Sequence, residues 1–144
     1  MSQRTTDDIE QIARQYPEEV ATKGNLDHLE DLLADDYVEH GPFGEDVRGR
    51  DADVEKMREF LNAFENFEAT VEDTVTEGDT VAMRVTLRGT HEGPFQGIEP
   101  TGNSIEVQNM VFTRVEDGKI AERWLQLDTL GLMEQLDAVE RPSV

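Results

Sequence analysis

In the segment KIAERWLQLD, residues 119–128, the alternation of side chains along a strand puts Trp124, Gln126 and Asp128 on one face and Ala121, Arg123, Leu125 and Leu127 on the other. A strand face does not ordinarily combine the chain's only tryptophan with two polar groups. Such a face suits the floor of a pocket, with an aromatic wall, an amide and one convergent carboxylate. Asp128 is then a candidate for moving a proton. It also stands directly before TLGLMEQL, where an aspartate caps a helix by accepting from its first N–H groups. The two roles can coexist.

Two histidines could join it. His40 follows DDYVE and precedes GPFG, and His91 ends RGTH, so each sits where structure gives way to a loop. A histidine so placed can act as acid, base or donor near neutral pH, or can tie the loop down. His28 falls on the exposed side of a helical pattern and reads as surface. The histidines and acids lack any short ligand spacing such as H-x-x-x-H, so no metal site is expected. The absence of cysteine excludes thiolate catalysis and disulfides. No nucleophile-elbow, phosphate-loop or dinucleotide glycine pattern occurs. Arg84 and Arg88 share one strand face and read as surface or subunit-interface ion pairs.

Which residues face Trp124 depends on the turn in VEDGK. A two-residue Asp117-Gly118 turn pairs Val115 with Ile120 and sets Asn109 opposite Gln126. A turn through Glu116 and Asp117 with a Gly118 bulge sets Gln108 opposite Gln126, Met110 opposite Trp124 and Glu106 opposite Asp128. The second register gives Met110 a sulfur–aromatic contact, with Phe112 on the same surface, and is the one expected. Trp124, Gln108, Met110 and Phe112 would then line one cavity together with Phe60.

The elements that must position these residues follow from periodicity. Thr6, Asp7 or Asp8 can cap a first helix carrying Ile9, Ile12, Ala13, Tyr16 and Val20, which Pro17 should kink or break. KGNLDHLEDLLADDY gives a second, short helix, and VEHGPFGEDVRGRD a loop from which Asp51 caps a third helix running to about Phe64. From Phe67 the period falls to two, with strands at EATVEDTVTE, DTVAMRVTLRGTH, SIEVQNMVFTRV and KIAERWLQLD, then a short helix LGLMEQL. Helices on one face of a bent antiparallel meander make an α+β domain, read as one unit over 1–144.

The 33 acidic against 13 basic residues give a net charge of −20, and of the basic ones only Lys23, Lys56 and Lys119 are lysines. With no basic face, binding to nucleic acid or to anionic membranes is not expected. The acids are spread through helices and turns, a pattern of proteins from salt-loving organisms whose surfaces need cation screening. Neither a membrane span nor a secretion leader is readable, so a cytoplasmic protein is expected.

Together DYVEHGPFG, GTHEGPFQGIEPTGNSIEV and FTRVEDGKIAERWLQLDTLGLMEQL resemble the SnoaL-like polyketide cyclase (ester cyclase) family of the NTF2-like superfamily, over about residues 8–137. The resemblance implies a cone-like α+β barrel, a curved sheet wrapped by N-terminal helices around an apolar cavity that takes a small apolar molecule. It implies a homodimer or homotetramer formed through the sheet's outer face. It also implies cofactor-free acid/base chemistry, an intramolecular aldol closure, with Asp128 as general acid/base. His91 and His40 are expected in support, and Tyr37 and Gln126 among the substrate contacts. A hydrolase or dehydratase in the same cavity, or a non-catalytic binder, are the alternatives.

Overall fold

An acidic first turn and a reciprocal cap start the chain's first helix. The structure is a computed structural model that describes residues 5–139. Thr5, rather than Thr6, Asp7 or Asp8, is the N-cap of α1 (Thr6–Gln15): its hydroxyl accepts from Asp8 N at 3.1 Å while the Asp8 carboxylate accepts from Thr5 N at 3.3 Å. Pro17 does not break the chain's course. Having no N–H to give, it opens the following turns into a π-helix, Tyr16–Thr22. Thr22 Oγ1 fastens that segment by donating to Pro17 O at 2.9 Å and accepting from Ala69 N at 2.9 Å. The widened turn leaves Tyr16, Pro17, Val20 and Ala21 all buried.

A 3-10 turn, Leu26–His28, leads into the single-turn α2 (Leu29–Leu32). The chain then enters β1 (Leu33–His40) and, after a Gly-Pro turn, β2 (Asp46–Arg48), where the sequence pattern suggested a helix end and a loop. The helix α3 (Arg50–Ala63) is capped by Gly49 at φ +89° rather than by Asp51. Four longer strands follow: β3 (Phe64–Glu77), β4 (Thr80–His91), β5 (Ser104–Glu116) and β6 (Lys119–Leu127), with α4 (Thr129–Gln135) at the end.

The six strands form one curved, unclosed sheet in the order β2-β1-β6-β5-β4-β3. All neighbours are antiparallel except β1 and β6, which run parallel and bring the first third of the chain against the last strand. The inner face carries the core. On β5 its residues are Ile105, Val107, Asn109, Val111, Thr113 and Val115, all buried, while Glu106, Gln108, Met110 and Phe112 are exposed. Burial of the β-branched set fixes which side faces the helices.

The hairpin between β5 and β6 corrects the expected register. Asp117 and Gly118 both take positive φ, +52° and +79°, making the two-residue turn that pairs Val115 with Ile120. The ladder then slips at Ala121, which is left unpaired, so that Arg114 faces Glu122, Phe112 faces Trp124, Met110 faces Gln126 and Asn109 faces Leu127. Gly93 settles the β4–β5 loop: a Cβ there would collide with the carbonyl of Asn62, and its N–H donates to Ala63 O at 3.1 Å. That close approach holds Phe95 over the inner face.

Candidate active site

Between α3, the π-helix and the inner face of the sheet lies a cavity of about 220 Å³. Its walls are largely apolar. Phe67 and Ala69 come from β3, Met83, Val85 and Leu87 from β4, Val111 from β5, and Leu125 and Leu127 from β6. Met57 and Phe60 of α3 close the opposite side, and Phe60 meets Phe67 and Phe95 edge-on at 4.9 and 5.6 Å. Phe43, from the β1–β2 turn, touches Phe95 at 5.9 Å, so two loops meet at the lining.

Polar groups gather where β1, β6, α3 and the π-helix converge. Glu39 is 1 % exposed. Its Oε1 accepts from Tyr37 Oη at 3.0 Å, Lys56 Nζ at 2.7 Å and Arg123 Nη1 at 2.9 Å, and its Oε2 accepts from Lys56 Nζ at 2.6 Å. Lys56 also lies 3.0 Å from Asp53 Oδ1, while Tyr16 Oη donates to Asp53 Oδ2 at 2.6 Å. The guanidinium of Arg123 sits 3.6 Å above the ring of Tyr16. Tyr16, Glu39, Lys56 and Arg123 line the cavity, with the Asn109 amide farther along β5.

Two formal cations and two formal carboxylates balance here, which is what lets them be buried. Burial alone would push Glu39 up, but the charges of Lys56 and Arg123 and the hydrogen bonds from Lys56 and Tyr37 outweigh it and hold the carboxyl below its usual range. Tyr16 is pushed well up, first by burial and then by Asp53 and Glu39, so its phenol stays protonated. Burial of Arg123 opposes its charge, yet Tyr37, Tyr16, Glu39 and Asp53 more than compensate and its pKa is raised. The arrangement therefore offers an ionised carboxylate, two cations and a phenol donor at one end of an apolar chamber. Among the described residues no group of three or more His, Asp or Glu is placed to hold a metal ion.

The sequence profile of the SnoaL-like polyketide cyclases matches residues 10–136. The chain belongs to that family. Solved structures agree with this SnoaL-like assignment. TsrD from Streptomyces laurentii is 28% identical, with a TM-score of 0.85 over 95% of this chain and 100% of its own. IdmH from Streptomyces antibioticus, a proposed polyketide cyclase, is 31% identical, with a TM-score of 0.78 over 90% of this chain and 98% of its own. A proposed SnoaL-like polyketide cyclase from Jannaschia sp. CCS1 shares the fold at 22% identity, with a TM-score of 0.86 over 97% of this chain and 100% of its own. No curated protein matches the chain.

The residues singled out from the sequence fall in different places in this SnoaL-like protein. Phe60 lines the cavity. Tyr37 is fully buried behind it, holding Glu39. Trp124, Gln126, Gln108, Met110 and Phe112 do share a face, but it is the outer one, where Met110 and Phe112 are 52% and 55% exposed. The reason is the bulge. Ile120 and Ala121 are both buried in succession, so strand alternation restarts after Ala121 and turns Arg123, not Trp124, inward. Gln108 Nε2 donates to Thr86 Oγ1 on that outer surface.

Asp128 is exposed and caps α4, accepting from Gly131 N at 2.9 Å; it does not line the cavity. His40 lies on the outer surface, stacked on Trp124 at 5.4 Å and bonded to Glu122 and Asp46. His91 is fully buried. The Thr101 backbone N–H donates to His91 Nδ1 at 3.2 Å, which puts the ring proton on Nε2 and ties the β4–β5 loop to β4. Arg84 and Arg88 form the surface ion pairs expected of them, with Asp73 and Glu106. Glu39, Lys56, Arg123, Tyr16 and Asn109 were not singled out. For two of them a signal existed: Arg123 and Asn109 interrupt otherwise apolar alternations.

Proposed function

We propose that this SnoaL-like protein is a cofactor-free acid/base enzyme that closes a ring in a small apolar carbonyl compound by intramolecular aldol addition, with Glu39, Lys56 and Arg123 handling the proton in place of Asp128. What supports it is an ionised carboxylate touched by two cations at the end of an apolar cavity. In this reading Glu39 takes the proton from a carbon flanked by carbonyls. Arg123 and Lys56 hold the enolate oxygen, where a dry site strengthens their pull. The enolate carbon attacks a second carbonyl of the same molecule, forming the C–C bond, and the resulting alkoxide recovers the proton from the Glu39 carboxyl by way of Lys56. No proton is gained or lost overall.

A non-catalytic ligand binder is the second reading, favoured by the donors that crowd Glu39 and make it a weak base. Deuterium exchange into the activated methylene of methyl benzoylacetate, followed by NMR at mildly acidic pH, separates the two. An enzyme speeds the exchange, and Glu39→Gln lowers that rate by about 100-fold or more, the usual scale of acid/base assistance. Because Gln leaves Arg123 without its counter-charge, at a cost of about 3–5 kcal/mol, Lys56→Met is measured beside it. Its side chain is 30% exposed, and its loss leaves the Glu39–Arg123 pair in place. Binding of the ester without accelerated exchange would establish the binder.

A further inference from the structure

Within the cavity lining, two buried polar atoms have no hydrogen-bond partner: Arg123 Nε and Asn109 Oδ1. Their residues are 4% and 7% exposed. The Arg123 guanidinium already gives Nη1 to Glu39 Oε1, whereas the Asn109 side chain stands in an apolar setting between Val107 and Val111 on its own strand. A buried amide oxygen without a partner is unfavourable, and an apolar residue would serve the core better there. Its presence on the inner face points to a ligand group that meets it.

We propose that Asn109 is a specificity-determining residue that reads a hydroxyl on the far end of the substrate, whose near end presents a carbonyl to Arg123 Nε; this rests on the cavity being the site. The spacing suits one class. Asn109 faces Leu127 and Thr113 faces Arg123, so their backbone positions lie four residues apart along the sheet, roughly 13 Å at about 3.3 Å per residue, and both side chains project to the same inner face. An aromatic ring with oxygens at opposite ends spans roughly 6 Å, and a hydrogen bond of about 2.8 Å at each end nearly completes the distance. The substrate is therefore an elongated apolar body, of about one to two rings, oxygenated at both ends. A compound with a carbonyl alone leaves Asn109 unanswered and is discriminated against, because a site built around a hydroxyl rejects its deoxy analogue.

Calorimetric titration of the intact protein with para-hydroxyacetophenone and with acetophenone tests this. The wild type binds the hydroxylated ketone at least about 10-fold more tightly, and Asn109→Leu, close in size, brings the two within about 2-fold. The same variant melts at a higher temperature than the wild type, since the orphaned amide is gone; a purely structural asparagine would move the melting temperature the other way. Equal binding of the two ketones to the wild type, an unchanged preference in Asn109→Leu, or a variant that melts lower or does not fold overturns the proposal. If neither ketone binds the wild type, the cavity reading itself falls with it.

Discussion

His40 is the residue whose ionisation the surface registers most directly. The hydrogen bond that its ring donates to Glu122 raises its pKa above the ordinary 6.5; burial opposes that rise, and a hydrogen bond to Asp46 adds to it. A raised pKa means that the folded state holds the proton more tightly than the unfolded chain. The stabilisation is therefore complete below about pH 6.5 and is lost as pH rises through the higher folded value. Glu122 is lowered by the same hydrogen bond, so its own contribution is present above about pH 4.5 and fades as pH falls through its depressed value. The His40→Gln variant should accordingly melt below the wild type near pH 6 and converge with it at alkaline pH. Trp124, stacked on His40, should report the same titration in its fluorescence. A constant difference in melting temperature across that range would show that His40 acts only by shape. At this scale the sequence was legible in part. Its polar residues drew attention to Asp128 and the histidines because those are the usual acid/base types, while Arg123 and Asn109, set among Leu125, Val107 and Val111, carried the stronger physical signal. A polar side chain on an apolar face must be compensated by a partner or a ligand.

Among the elements, β3 to β6 and α3 could be read from period and turn residues, because alternation and a helical stripe are properties of short windows. The strands β1 and β2 could not. LADDYVEH buries its inner residues Leu33, Tyr37 and Glu39 against β6, a partner more than eighty positions away, and the leucines Leu26, Leu29, Leu32 and Leu33 carry a helical period into its start. The side on which Trp124 falls was hidden for a different reason. Nothing in KIAER announces a bulge, yet leaving Ala121 out of the ladder decides which half of the strand meets the cavity. A variant lacking Ala121 should therefore keep Ile120 and Arg123 inward and Trp124 outward in a regular ladder. An added residue between Glu122 and Arg123 should instead turn Trp124 toward the core and expel the guanidinium. Trp124 emission gives the check: it should stay near the wild-type wavelength in the deletion and move in the insertion. A blue-shifted deletion would mean that Ala121 is not the residue the ladder leaves out.

For the whole molecule the dominant number is the net charge of −20. Surface pairs such as Arg84 with Asp73 and Arg88 with Glu106 relieve little of it, being exposed and each worth at most about 1 kcal/mol. Raising the ionic strength from about 0.1 M to 1 M shortens the screening length from roughly 10 Å to 3 Å. The melting temperature should rise over that range, while the buried cluster around Glu39, shielded from the solvent ions, contributes little to the change. A melting temperature that stays flat or falls would show that the acids are already accommodated. The parallel pairing of β1 with β6 also has a consequence in time. A chain emerging from the ribosome lays down Glu39 long before Arg123, 84 positions later, and until the final strand arrives the carboxylate has no guanidinium to face. The charged end of the cavity is thus among the last parts of the molecule that can exist. A nascent chain stalled before Lys119 would carry most of its sheet and the walls of the chamber, but with β1 and its acid still waiting in water for the strand that would allow them in.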